Sequence, residues 1–584
     1  MLRALPLILL TLGSALPAAA QPFTVQPTNF DDERFSFAAP VFGDYDADGD
    51  LDLAFIAGAD KVFRNDDGAF VEVADLGGFF RAADWGDVDA DGDLDLLVLG
   101  DGLIGNGLVL FRNDGGTFTR EVIDARAFSG GAVLDAVRFA DYDGDGDLDF
   151  AAALDARIDG ALQQSLVRVY RNDDGAFVDA QVGHPGGESV FWGDVDGDGT
   201  PDLFVGGNRQ GDTSNDPSYL YRNEGGVFVE VTPVPADPNG EDAVEIAAWG
   251  DVDADGDLDL ATGEALWLNE GGMLRRGPQF DTFLVPGDLA WGDVDADGDL
   301  DLLATGQDGR ARPRTVVLIN DGGTLTVQDV GLGGAASLGI LADVDADGDL
   351  DALLQNNTSS GDFKTQLALN SLATPNAAPA APAAVRFEPS SDTSGTLRWT
   401  AATDDTTPPT ALRYNLRLGT TPGGQDRIVA QARPDGQRLV LGPGNVGTRT
   451  ERAFMDLAPC VSYHYGVQAL DNGLRGGAFA EGIFATNLAP TVAAAPPALT
   501  FTLGEAPRTI ALEEAEAGAV FTDYPGDPLS YALSGGDEAI ATATLDGSTL
   551  TVTPTGAGST VLTISADDGV CGPTELVVRI RVDP

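Results

Sequence analysis

From residue 39 to residue 370 the chain alternates short apolar runs with clusters of Gly, Asp and Asn. Runs such as LDLLVLG (94–100) and LDFAAAL (148–154) are followed, after a variable gap, by a second run that ends in Asn: VFRN, LFRN, VYRN, LYRN, LWLN, VLIN and LALN, ending at Asn65, Asn113, Asn172, Asn223, Asn269, Asn320 and Asn370. Turns such as DDGAF (66–70) and DGGTF (114–118) come next, and then a further strand-like run. Short runs rich in Val, Leu and Phe and bounded by turn formers predict strands and hairpins. No window between them holds a helical period. An apolar residue stands two positions before each acidic cluster: Phe42, Trp85, Phe139, Trp192, Trp249, Trp291 and Leu341. Each unit therefore supplies about four strands in about 50 residues, the size of a β-propeller blade.

The unit repeats around one acidic loop, D-x-D-x-D-G-x-x-D, present seven times from Asp44, Asp87, Asp141, Asp194, Asp251, Asp293 and Asp343, at spacings of 43, 54, 53, 57, 42 and 50 residues. Four copies read DVDADGDLD without change. Positions 1, 3, 5 and 9 are Asp in all seven. In loop order these residues, with position 7 included, are Asp44, Asp46, Asp48, Asp50 and Asp52; Asp87, Asp89, Asp91, Asp93 and Asp95; Asp141, Asp143, Asp145, Asp147 and Asp149; and Asp194, Asp196, Asp198, Thr200 and Asp202. The last three loops supply Asp251, Asp253, Asp255, Asp257 and Asp259; Asp293, Asp295, Asp297, Asp299 and Asp301; and Asp343, Asp345, Asp347, Asp349 and Asp351. Such density of hard oxygen ligands suits Ca²⁺, which takes six to eight oxygens at about 2.3–2.6 Å. Without a counter-ion the carboxylates repel one another. Glycine at position 6 permits the sharp turn. Thr200 at position 7 indicates that this position contributes its backbone carbonyl. One ion per blade, about seven in all, is expected, in a structural role, because an identical site in every repeat is a scaffold feature.

An EF-hand would need an acidic residue at position 12 and flanking helices. Position 12 here is Phe55, Val98, Ala152, Val205, Thr262, Ala304 or Leu354, and the flanks are strands. After Asn370 no room remains for a fourth strand in the seventh unit, whereas PFTVQP (22–27) is similar to GTFTREV (116–122). The N-terminal segment is expected to complete the last blade and close the ring, which removes an exposed sheet edge.

The seven units resemble the FG-GAP/VCBS-type repeats of secreted bacterial proteins and of integrin α-subunit propellers. That resemblance, over about residues 22–374, implies a seven-bladed propeller with Ca²⁺ in its hairpin loops. The Gly-Ala-Pro element of the integrin repeat is missing, so integrin-like ligand recognition is not implied.

At 584 residues the chain exceeds one domain. Residues 1–20, MLRALPLILLTLGSALPAAA, read as a secretory signal peptide cleaved after about Ala20. The propeller is placed at 21–373, and TPNAAPAAPAA (374–384) reads as a Pro/Ala linker. Residues 385–487 resemble a fibronectin type III sandwich, with Trp399 in its core and Tyr463 at a tyrosine corner after Leu457 and Pro459. Residues 488–584 resemble a cadherin-like or Ig-like sandwich. In that module FTDYPGDPLSY (521–531) departs from the calcium pattern at Tyr524-Pro525, which puts Asp523 and Asp527 in doubt as ligands. The expected class is all-β, a seven-bladed β-propeller followed by two β-sandwich domains. The two cysteines, Cys460 and Cys571, are either free buried thiols or an interdomain disulfide, which export would permit.

A net charge of -60 argues against nucleic acid or an anionic membrane as partner. No run approaches a membrane span. Only two histidines are present, His184 and His464, and no G-x-S-x-G, H-E-x-x-H or P-loop pattern occurs. The function expected is an exported, calcium-stabilised binding or adhesion protein whose propeller face recognises a glycan or protein ligand, with the sandwiches as spacers. An extracellular polysaccharide hydrolase or lyase, and a structural matrix component, remain the alternatives. The long segments 206–219 and 155–165 are the candidate contact loops.

Overall fold

The computed structural model describes residues 23–26, 39–56, 60–78, 80–100, 107–125, 137–158, 161–173, 175–185, 187, 189–206, 218–231, 244, 246–263, 265–279, 285–308, 310, 312–328, 330, 332, 335, 338–357, 363–372, 374–455, 457–512, 520–523 and 528–584. The segment read as a signal peptide, residues 207–217 of the candidate contact segment 206–219, and Asp527 with Tyr524-Pro525 lie outside the described residues. So do the side chains of 155–165 and of His184.

The protein is all-β. Seven four-stranded antiparallel sheets follow one another, the first six each built in chain order. The first blade runs Ala39–Gly43, Asp52–Ile56, Lys61–Asp66 and Ala69–Asp75. In the seventh, Thr24–Gln26 supplies the outer strand, antiparallel to Phe363–Leu369 with Thr24 opposite Leu369. The N-terminal segment thus completes the last blade as the sequence predicts, and Phe23 is buried beside it.

Each acidic loop joins the first strand of a blade to the second, so position 9 opens the second strand: Asp52, Asp95, Asp149, Asp202, Asp259, Asp301 and Asp351. The second strands are apolar on both faces because neighbouring blades cover both; Asp52–Ile56 and Asp95–Gly100 are buried throughout. The apolar residue two positions before each loop packs the blades together. A Cβ at Gly43 would sit 2.8 Å from the Trp85 ring, so the indole lies flat on a glycine of the preceding blade. Its Nε1 donates to the Val41 carbonyl at 3.2 Å, and Trp291 repeats the arrangement on Ala248 at 3.0 Å.

By contacts the chain forms two compact units: residues 1–385 with 399–451 and 465–482, and residues 386–398 with 452–464 and 483–584. The breaks at 385 and 482 lie close to the boundaries expected from sequence at 384 and 487, and the segment between them is divided between the two units. In the first unit Trp399 is buried and meets Tyr414 edge-on. In the second, the Tyr463 hydroxyl accepts a hydrogen bond from the Ala458 amide at 2.8 Å, the tyrosine-corner contact. Strand Leu499–Thr502 pairs parallel with Thr574–Asp583, which continues antiparallel to Gly558–Asp567 and on to Ser530–Gly535. Arg508–Ala511, Thr549–Pro554 and Ala541–Asp546 form a further sheet over a core of Phe501, Leu550, Val552, Ile564 and Ile580. Cys460 and Cys571 are joined as a disulfide within this unit, Cα–Cα 5.4 Å. No helix among the described residues is long and apolar enough to cross a membrane.

Candidate metal loops of the propeller

The acidic loop is a self-capped turn. Asp44 at position 1 accepts the amides of Asp48 at 3.0 Å and Gly49 at 3.1 Å. Asp87, Asp251 and Asp293 do the same in their loops. Position 9 closes the far end: Asp52 accepts the Tyr45 amide on one oxygen and the Asn65 amide on the other. The chain between them passes through a left-handed residue at position 4, which is Ala47, Ala90, Ala254, Ala296 or Ala346 at φ 54–59°. A left-handed non-glycine residue costs about 1 kcal/mol. Five repetitions of the same unfavourable conformation indicate a turn shaped for something it encloses.

What it encloses is a convergence of carboxylates. Asp44, Asp46 and Asp48 bring oxygens within 4.8 Å of one another, as do Asp87, Asp89 and Asp91, and Asp251, Asp253 and Asp255. In the third and fourth loops the group is formed by positions 1, 3 and 9: Asp141, Asp143 and Asp149, and Asp194, Asp196 and Asp202. Each of these groups brings together three of the four predicted ligand positions, either 1, 3 and 5 or 1, 3 and 9. Several oxygens among them are buried with no hydrogen-bond partner: Asp46 Oδ1, Asp194 Oδ1, Asp253 Oδ1, Asp343 Oδ1 and Asp345 Oδ1. Buried acceptors without donors are costly, and an oxygen-seeking cation satisfies them. The donor set therefore fits a hard divalent ion.

The electrostatics agree. Burial, reinforced by neighbouring carboxylates, raises Asp44 to about 7 and Asp87 to about 8. Burial also raises position 9, to about 8 in Asp52, Asp259 and Asp301 and to about 9 in Asp149. At neutral pH such groups must either take up protons or share a cation.

Position 7 has a different task. Asp93 accepts the Gly115 amide at 2.8 Å, Asp257 that of Gly271 at 3.0 Å, and Asp299 that of Gly322 at 2.7 Å. Asp50 and Asp349 make the equivalent bonds to Asp67 and Leu372. Its side chain pins the turn between the third and fourth strands. Thr200 does the same work in reverse, donating to the Asn223 carbonyl at 2.9 Å. This clamp gives a side-chain reason for the Asp/Thr alternation, which sequence reasoning attributed to the backbone alone.

The Asn that ends each third strand was visible in sequence as a marker without a role. In the structure it locks one blade to the next. Asn113 Nδ2 donates to the Tyr45 carbonyl in the loop of the preceding blade at 2.8 Å and to Leu94 in its own. Asn172, Asn269, Asn320 and Asn370 repeat the inter-blade bond to Val88, Val195, Val252 and Val294 at 2.7–2.9 Å. Asn223 makes it to Tyr142. Asn65 reaches Val344 at 2.9 Å and so joins the first blade to the last. The position-2 carbonyl of each acidic loop is thus the acceptor for its neighbour, and loop shape and ring closure are coupled.

The FG-GAP-like repeat family matches residues 87–152 and 194–262. No curated protein matches the chain. Among solved structures, a fungal alcohol oxidase of the AA5 family in complex with copper overlaps 80% of this chain and 100% of its own at 10% identity and TM-score 0.38. BBS1N in complex with ARL6DN, soaked with lead, overlaps 61% of this chain and 98% of its own, at 9% identity and TM-score 0.39. The extracellular domain of a one component system from B. thetaiotaomicron overlaps 97% of this chain and 100% of its own, at 11% identity and TM-score 0.37. These overlaps are slight and carry no functional information. The chain is an all-β protein that carries FG-GAP-like repeats, with acidic groups in their loops able to hold metal ions.

Proposed function

We propose that this is an exported binding or adhesion protein whose propeller is stabilised by calcium, about one ion per blade, and presents a face to a glycan or protein ligand. The observation that carries the reading is the repetition of one pre-shaped carboxylate loop in every blade. Catalysis would single out one site, whereas seven equal sites serve a scaffold. Positions 1, 3, 5 and 9 would hold the ion, with the backbone carbonyl of position 7. When bound, the ion neutralises carboxylates that otherwise repel one another.

The apolar N-terminal segment and the Cys460–Cys571 disulfide support placement outside the cell. The charge of -60 disfavours nucleic acid as a partner. Residues 385–487 and 488–584 serve as fibronectin-like and cadherin- or Ig-like spacers in this reading. Residues 155–158 and 161–165 belong to the second and third strands of their blade, with Asp155 opposite Ser165, so 155–165 is a strand hairpin rather than the loop expected from sequence; it and segment 206–219 remain the proposed contacts. The test is a glycan and matrix-protein binding screen with and without calcium. A ligand bound in calcium and released by chelator is the expected result. Hydrolysis or elimination on a polysaccharide panel would overturn the reading in favour of an enzyme.

A further inference from the structure

The acidic loops are not all open to solvent, because residues from 376 and from 399–451 and 465–482, in the same compact unit, approach them. They meet the loops at one repeated point, the backbone around the position-6 glycine. In the first blade Gln437 Nε2 donates to the Gly49 carbonyl, and the Asp44 amide donates to the Leu439 carbonyl at 2.9 Å. In the third, a methyl at Gly146 would overlap the Arg427 carbonyl oxygen. In the fourth, Arg449 donates to Gly197 at 2.5 Å and crowds Gly199. Thr448 Oγ1 donates to Gly256 at 2.8 Å in the fifth. Asn472 Nδ2 donates to Gly298 at 3.0 Å in the sixth. The Asn376 amide donates to Gly348 at 3.0 Å in the seventh.

The second blade is the exception. Among the described residues, nothing lies within 4 Å of a Cβ placed on Gly92. Yet its loop has the same nine residues as the sixth, DVDADGDLD, and the two glycines share φ +98°. Sequence and local conformation are equal, and only the contact differs.

We propose that residues 399–451 and 465–482, together with Asn376, form a cap that recognises the metal-loaded shape of six loops, and that the loop of the second blade is an independent, freely exchanging site. The contacts explain the selectivity for shape. Five of the six bonds go to neutral loop carbonyls, which point at the cap only while the carboxylates are drawn inward around an ion. Removing the ion lets the carboxylates separate and turns those carbonyls away. Docking and metal binding are then linked, and each strengthens the other by the same factor. This rests on the calcium reading above.

The decisive experiment is amide hydrogen exchange on the full chain, with bound calcium counted in parallel by equilibrium dialysis. Gly92→Ala and Gly298→Ala carry the same backbone strain, so their difference isolates the cap. Gly298→Ala should accelerate exchange in 399–451 and 465–482 by about tenfold or more, and Gly92→Ala by less than about twofold. Chelator should reproduce the Gly298→Ala effect in the unsubstituted protein. Thr448→Val, which removes a cap hydrogen bond and leaves the loops intact, should weaken calcium binding by about fivefold at the capped sites. Equal effects of the two glycine substitutions would overturn the cap. So would loss of bound calcium on chelation with cap exchange unchanged, an outcome that leaves the calcium reading standing. Dialysis that finds no bound calcium would overturn both.

Discussion

The propeller and the C-terminal sandwich at 499–583 are both antiparallel β-structure, but they bury different things. The propeller buries the position-9 Asp and the third-strand Asn of every blade, from Asp52 and Asn65 to Asp351 and Asn370, together with Asp44, Asp87, Asp251 and Asp293 at position 1. Among the described residues of 499–583 no polar side chain is buried to that degree, and Phe501, Leu550, Ile564 and Ile580 form a wholly apolar core. A buried carboxylate is a liability that becomes an asset only with a counter-ion, whereas apolar burial stabilises unaided. The first region should therefore depend on its solution for stability, and the second on its own atoms and the disulfide beside it.

The strongest way to break this contrast is to remove divalent ions. At a hundredfold excess over the dissociation constant each site contributes about 2.7 kcal/mol. Calorimetry in chelator should show the propeller transition falling by more than about 10 °C while that of the 499–583 sandwich stays within about 2 °C. Reduction is the converse experiment. The Cys460–Cys571 bond spans a sequence separation of 111 residues, and its loss should cost the second unit about 2–5 kcal/mol and leave the propeller transition in place.

A smaller effect should follow from Asn269→Ala. Asn269 donates to Val195 at 2.7 Å and Leu258 at 3.1 Å and accepts from Gly272 at 2.8 Å, all buried or partly buried. Leaving these groups unpaired should cost about 2–4 kcal/mol of propeller stability in urea titrations, even in saturating calcium.

The subtlest test is a sign. In metal-free protein, burial raises Asp44 from 3.8 to about 7 and Asp52 from 3.8 to about 8. A carboxyl raised in the folded state favours folding while it stays protonated, so this contribution is full below the unfolded value and is lost as pH climbs through the folded one. Propeller stability in chelator should fall between about pH 4 and pH 8. In saturating calcium it should rise over the same interval, because ions and protons compete for the same oxygens. Denaturant midpoints across that range, with and without calcium, read both slopes.

Much of this contrast was legible in the sequence, because the propeller repeats. Seven copies of D-x-D-x-D-G-x-x-D set the blade period, the hairpin and the candidate ligand positions, and the shortage after Asn370 placed Thr24–Gln26 in the last blade. What the repeat concealed were the tasks of residues that act between repeats. The seven Asn side chains reach the preceding blade, and a pattern along one blade does not show what lies in the next. The position-7 clamp was hidden because Asp50 and Asp299 look like ligands by composition, although their side chains bind turn amides. The segments 399–451 and 465–482 carry no repeat. Their contacts with Gly256 and Gly298 depend on tertiary placement of single residues such as Thr448 and Asn472, and no periodicity announces these. The disulfide was one of two open readings, since spacing does not determine whether two thiols meet.

In the proposed reading the carboxylate loops are ion sites that hold the propeller together. Elemental analysis of the purified protein after equilibrium dialysis against excess calcium tests it most directly. One ion per D-x-D-x-D-G-x-x-D loop, seven per chain, is the predicted content, falling to six when Asp87 and Asp89 are both replaced by Asn. A calcium content indistinguishable from the dialysis buffer, with a melting profile unchanged by chelator, would contradict it.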